Sequence, residues 1–248
     1  MVITSKDHLE VLADPSHLAA RVAAWLFDLA CAKDGPFNLC FSGGATPRLL
    51  YQRLAQAPYR DEFPWEKLHL FWGDERFVPP DDALSNYAMT RKSLLAHVPI
   101  PQANIHPVPT LGLSPQAAAA IYQRELQDFY GAERLDPGRP LFDVNLLGLG
   151  PDGHTASLFP NSAALAERKR WVAPVIGAAA EVRITLTYPT LESSRHAAFL
   201  VAGQDKADIL SRLLEGNQSL PAAQLHPLGE LWVFSDQAAQ VRAAVPYA

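Results

Sequence analysis

The feature that most constrains this chain is a series of short, nearly continuous apolar runs, each followed by a stretch of helical periodicity. Residues 37–41, 68–72, 142–147, 183–188, 197–202 and 230–234 read as strands. Residues 16–31 place Leu18, Val22, Trp25, Leu26 and Leu29 on one helical face, with Ser16 as the candidate N-cap. Further helices are predicted from Pro47 to about Gln56 and over 85–97, 114–130, 205–215 and about 236–243. The run 142–147 reads as a strand buried on both faces, ending at Gly148-Leu149-Gly150. The pattern predicts an α/β fold, a mostly parallel sheet covered by helices on both faces. Ligands on such sheets collect beyond the carboxyl ends of the strands.

The 248 residues, 48% of them hydrophobic, suffice for one domain over 1–248 with an ordinary core. No repeat recurs at a fixed period, and the 21 prolines are spread as element boundaries. A net charge of −5 argues against a nucleic-acid sleeve or a polybasic membrane patch, and leaves room for a local basic pocket. Cys31 and Cys40 lie in apolar runs, read as structural, and show no metal-ligand spacing. Lys6, Asp7, His8, Glu10 and Asp14 interrupt every early apolar stretch, and nothing approaches the ~18 apolar residues of a membrane span. The expectation is a cytoplasmic protein, a monomer or weak homo-oligomer, without nucleic-acid or membrane partners.

Four polar clusters fall at predicted strand ends. Ser42-Gly43-Gly44-Ala45-Thr46-Pro47 offers glycines for close backbone approach, Thr46 as a helix cap and Pro47 for a first turn. The helix start that follows is a phosphate seat, or else a turn that simply needs glycine. Gly73-Asp74-Glu75-Arg76 puts two carboxylates and a guanidinium after a strand, able to orient hydroxyls and grip an anion, or to form a surface ion pair. Gly148-Leu149-Gly150-Pro151-Asp152-Gly153-His154 is the most informative. A histidine in a glycine-rich loop is poorly placed for core packing and well suited to general-base work, and Asp152 is the candidate to orient it. Lys206, in the first turn of a helix, stands where the dipole disfavours a cation and so hints at an anionic ligand; Arg183 opens a strand.

Together these motifs resemble the glucosamine-6-phosphate isomerase/6-phosphogluconolactonase family. The likeness rests on Ser42-Gly-Gly-Ala-Thr-Pro47, Trp72-Gly-Asp-Glu-Arg76, Ser85-Asn86-Tyr87, the loop from Gly148 to Phe159-Pro160, Arg183-Ile-Thr-Leu-Thr187 and Gly203-x-x-Lys206, in family order. It implies a Rossmann-like three-layer sandwich of the sugar-phosphate isomerase/deaminase type. It also implies hydrolysis of 6-phospho-D-glucono-1,5-lactone to 6-phosphogluconate in the oxidative pentose phosphate pathway. Family deaminases carry a glutamate five residues after the histidine; here that place is Phe159, which ranks lactone hydrolysis above deaminase chemistry.

The implied assignment makes His154 the base towards water and then the donor to the ring oxygen, with Asp152 orienting it. Arg76 faces either the phosphate or the C1 oxyanion. Ser42, Gly43, Gly44, Thr46 and Lys206 take the phosphate with Arg183, while Asp74 and Glu75 bind hydroxyls or support Arg76. No cofactor or metal is called for. Ser42 and Ser157 are the candidate nucleophiles of a covalent route, but neither sits in a GxSxG elbow. A non-catalytic sugar-phosphate sensor would keep the phosphate residues without needing His154 and Asp152.

Overall fold

A computed structural model describes residues 8–241. Its strands are β1 (His8–Leu12), β2 (Phe37–Phe41), β3 (Leu68–Trp72), β4 (Asp74–Arg76), β5 (Ile105–His106), β6 (Phe142–Leu147), β7 (Val172–Val175), β8 (Arg183–Leu186), β9 (Ser194–Val201) and β10 (Glu230–Asp236). Seven make one sheet in the order β1-β10-β9-β6-β2-β3-β5, every neighbouring pair parallel. β6 lies at its centre and is buried at every position, as expected, its polar Asp143 and Asn145 included. The α/β class and the mostly parallel sheet hold.

Chain order reverses beside β6. β2, β3 and β5 extend the sheet one way, while β9, β10 and then β1 extend it the other. Loops leaving β2 and β6 therefore diverge and open a crevice at their carboxyl ends, the usual ligand position in such sheets. Beneath it, Leu39, Phe41, Leu70, Val144 and Phe199 are fully buried. Side chains of this kind each stabilise the fold by roughly 1.5–3 kcal/mol.

Several boundaries differ from the sequence expectation. The first helix is Pro15–Ala32, capped by Asp14 and not Ser16: the Asp14 carboxylate accepts from the N–H groups of Ser16 (2.8 Å) and His17 (2.9 Å) with Pro15 at the first helical position. The next helix, Ala45–Leu54, begins before Thr46, so Thr46 is no cap; Gly44, at φ +111°, lets the chain turn into the helix sooner. The predicted 85–97 helix is α-helical over Asn86–Thr90 and widens to a π-helix over Arg91–Leu95. Residues 205–215 split into a 3₁₀ turn, Gln204–Lys206, and the α-helix Ala207–Leu214.

The run 183–188 ends as a strand at Leu186 and leaves the parallel sheet altogether. It forms β8, the middle of a small antiparallel sheet ordered β4-β8-β7. The last helix is Gln237–Gln240; its expected extension to Ala243, like Lys6 and Asp7, lies outside the described residues. Cys40 is buried as expected, whereas Cys31 is exposed on its helix; both are free thiols. Among the described residues no helix is long and apolar enough to cross a membrane.

Candidate active site

Four neighbouring strands, β9, β6, β2 and β3, send their carboxyl ends into one crevice. Two buried tyrosines pin two of those ends. The Tyr51 hydroxyl accepts from Ser42 N–H (3.1 Å) and donates to Ser42 C=O (2.7 Å); the Tyr122 hydroxyl does the same for Trp72, at 2.9 and 3.1 Å. Burial pushes both phenols well above their ordinary pKa, so they stay protonated donors. The Ser42 amide is thus engaged, and its hydroxyl and the amides of Gly43 and Gly44 are what this turn offers a ligand. No side chain caps the helix Ala45–Leu54 that follows, which leaves its positive end open to an anion.

The loop after β6 holds a histidine in a tight fold. Gly150 N–H donates to His154 C=O (2.8 Å), and Asp152 Oδ1 accepts from His154 N–H (3.1 Å) while standing 2.5 Å from ring Nδ1. With Nδ1–H donated to the carboxylate, Nε2 is the nitrogen left to act as base. Burial alone would raise the Asp152 pKa, but the backbone and ring hydrogen bonds of His154 outweigh it and hold the carboxyl below its usual range. Phe159 packs on the imidazole with ring centroids 4.5 Å apart.

The third wall is built by β4 and β8, where Arg76 is the register partner of Arg183. Asp74 is buried, accepts the Ser157 hydroxyl at 2.5 Å through Oδ2, and has Asn86 Nδ2 3.4 Å from Oδ1. Ser157 is fully buried with its hydroxyl committed to Asp74, so it does not offer a nucleophile to the crevice. The Arg76 Nη1 group donates to Leu84 C=O (2.9 Å) and Asn86 Oδ1 (2.8 Å). Arg183 pairs with Glu181 at 3.2 Å, and its Nε is buried without a partner. Burial, and then the like charge of Arg76, lower the Arg183 pKa. Two guanidiniums held this close are stabilised by a bound anion.

The resulting cavity, about 300 Å³, is lined by Ser42, Gly43 and Gly44, by Gly148, Gly150, His154 and Phe159, by Asp74, Arg76, Asn86 and Arg183, and by Lys206. Three predicted residues do not line it. Thr46 lies within the helix, and Asp152 stands behind the imidazole. Glu75 turns the other way and accepts from the N–H groups of Arg76 (2.7 Å), Asn86 (2.7 Å) and Tyr87 (2.8 Å) and from the Ser85 hydroxyl (3.0 Å). Its carboxyl is pushed up by burial against the pull of those N–H groups. Glu75 supports the loop that holds Arg76 and is not positioned to bind a sugar hydroxyl. The sequence reading gives no role to Asn86 or Ala156, both of which line the cavity. The Ser85-Asn86-Tyr87 motif was the available signal for the first.

Fold and site define a mostly parallel α/β protein whose strand-end crevice is lined by Arg76, Arg183 and Lys206, with an oriented imidazole at its wall. A family model described as glucosamine-6-phosphate isomerases/6-phosphogluconolactonase matches residues 13–233. The 6-phosphogluconolactonase of Nostoc sp. strain PCC 7120 is 40% identical over 247 residues, spanning 97% of this chain and 100% of that one. That of Synechocystis sp. strain PCC 6803 is 42% identical over 216 residues, spanning 85% and 87%. The crystal structure of 6-phosphogluconolactonase from Thermotoga maritima superposes with a TM-score of 0.79 at 29% identity, covering 94% of this chain and 100% of that one. The chain belongs to the glucosamine-6-phosphate isomerase/6-phosphogluconolactonase family.

Proposed function

We propose that this chain hydrolyses 6-phospho-D-glucono-1,5-lactone to 6-phosphogluconate, in the oxidative pentose phosphate pathway, with His154 as general base. The observation that carries the reading is the His154–Asp152 pair, 2.5 Å apart, at the wall of a cavity that also holds Arg76, Arg183 and Lys206. His154 Nε2 takes a proton from water as the water oxygen bonds to C1. The tetrahedral intermediate then breaks its bond to the ring oxygen, which receives that proton from the imidazolium. Asp152 holds the tautomer and stabilises the imidazolium; such a base contributes on the order of 10²–10⁴-fold.

The phosphate sits on the amides of Gly43 and Gly44 and the Ser42 hydroxyl, with Arg76, Arg183 and Lys206 balancing its charge. Asp74 accepts from a sugar hydroxyl. Phe159 favours this reading over deaminase chemistry, because an apolar ring packs on His154 where ring opening would use a second acid. The chain acts as one catalytic domain over 1–248, cytoplasmic, as a monomer or weak homo-oligomer, without a cofactor or nucleic-acid partner.

The test is hydrolysis of freshly generated lactone coupled to 6-phosphogluconate dehydrogenase, with spontaneous opening subtracted. Turnover above background that is lost in His154→Ala supports the reading, and no excess rate rejects it. Arg76→Ala is expected to raise KM; a fall in kcat at unchanged KM would move Arg76 from the phosphate to the C1 oxyanion.

A further inference from the structure

We infer that Asn86 is a positioning residue that aims the Arg76 guanidinium at the ligand's anionic end, an inference that rests on the phosphate-binding reading of Arg76. Asn86 is 1% exposed, and both ends of its amide are occupied. Oδ1 accepts from Arg76 Nη1 at 2.8 Å, and Nδ2 donates to Asp74 C=O at 2.9 Å. Its backbone N–H is held separately by Glu75 at 2.7 Å, so the side chain is free to serve Arg76 without anchoring its own helix.

The choice of an amide is informative. Arg21 and Arg170, outside the crevice, are held by the carboxylates of Glu10 and Glu167. Arg76 is held by two neutral oxygens, Asn86 Oδ1 and Leu84 C=O. A carboxylate would fix the guanidinium and cancel its charge. A neutral acceptor removes the rotamer freedom of a long side chain and leaves the full charge for an incoming dianion. Asn86 also meets the opposite wall, because a Cβ at Gly43 would overlap its amide. One side chain therefore sets the guanidinium against the glycine turn across the crevice.

The test is a double-mutant cycle over Arg76→Ala and Asn86→Ala, read by calorimetric titration with 6-phosphogluconate and, separately, inorganic phosphate, with melting curves for each variant. Asn86→Ala is expected to weaken 6-phosphogluconate about tenfold, the usual scale for a hydrogen bond to a charged group. Added to Arg76→Ala, it is expected to do almost nothing. Asn86→Asp, near-isosteric but charged, is expected to bind more weakly than Asn86→Ala, the reverse of what a purely structural role would produce. Effects that multiply in the double variant, unchanged affinity in Asn86→Ala, or wild-type protein that takes neither anion would each overturn the inference. Failure of the lactonase reading looks different: phosphate binding and its dependence on Asn86 persist while lactone turnover is absent.

Discussion

The imidazole of His154 occupies the space that a side chain at Gly150 would need: a Cβ there would overlap the ring at Nδ1, Cε1 and Cγ. The same two residues are tied by Gly150 N–H to His154 C=O at 2.8 Å. The glycine is what allows the ring to fold back over its own loop towards Asp152. Gly150→Ala is expected to push the ring aside while leaving the sheet intact. A misplacement on the order of 1 Å costs about 10²-fold. Steady-state kinetics should show kcat reduced on that scale with KM little changed, and wild-type kcat would show that this close approach does not set the ring position.

Asp152 makes a distinct demand. Its carboxylate faces Nδ1 at 2.5 Å and is 45% exposed, so its value lies in fixing the tautomer and stabilising the imidazolium more than in holding the fold. Asp152→Asn keeps an acceptor and loses the charge. We expect kcat to fall at least about tenfold, within the range of general-base contributions, with the melting temperature nearly unchanged. Equal kcat in the two proteins would remove Asp152 from the proton-transfer scheme.

Glu75 is expected to behave as a structural acceptor. Glutamine in its place presents one NH₂ group to donors that now meet a carboxylate oxygen, leaving at least one buried N–H or O–H unsatisfied. Such a group costs about 1–3 kcal/mol. Denaturant unfolding of Glu75→Gln should show a loss of that size. An unchanged midpoint would mean that relief of the buried charge compensates in full.

Acid sensitivity has an identifiable contributor away from the crevice. Glu167 accepts from the N–H groups of Lys169 (2.8 Å) and Arg170 (3.0 Å) and from Arg170 Nε (2.6 Å), which lower its pKa from 4.5 to about 2. A carboxyl depressed in the folded state contributes stability that is present above its unfolded value and lost as pH falls through the folded one. Wild-type protein should therefore lose more stability than Glu167→Gln between pH 5 and pH 2, measured by denaturant titration at stepped pH. Parallel curves would contradict the assignment.

The elements that carry the crevice are legible in the chain because they are buried on both sides. β2, β3 and β6 begin and end where their apolar runs do, and the glycine turns at their ends follow in register. β1, β5 and β7 are not legible, since β1 and β5 are edge strands and β5 and β7 are two and four residues long. β4 is three polar residues, Asp74-Glu75-Arg76, whose only reason to be a strand is the partner β8 far along the chain.

That pairing decides which acid does what. Side chains alternate along a strand, so two adjacent carboxylates must face opposite ways. Nothing local says which faces in. The register of Asp74 with Thr185 and of Arg76 with Arg183 turns Asp74 and the guanidiniums into the crevice and sends Glu75 into the loop at residues 85–87. The order of apolar runs and glycine turns, a local property, was enough to determine the parallel sheet, the crevice at its strand ends and the histidine beside it. The division of labour among the charged residues was decided only in the tertiary structure, because it depends on an antiparallel contact between segments about a hundred residues apart.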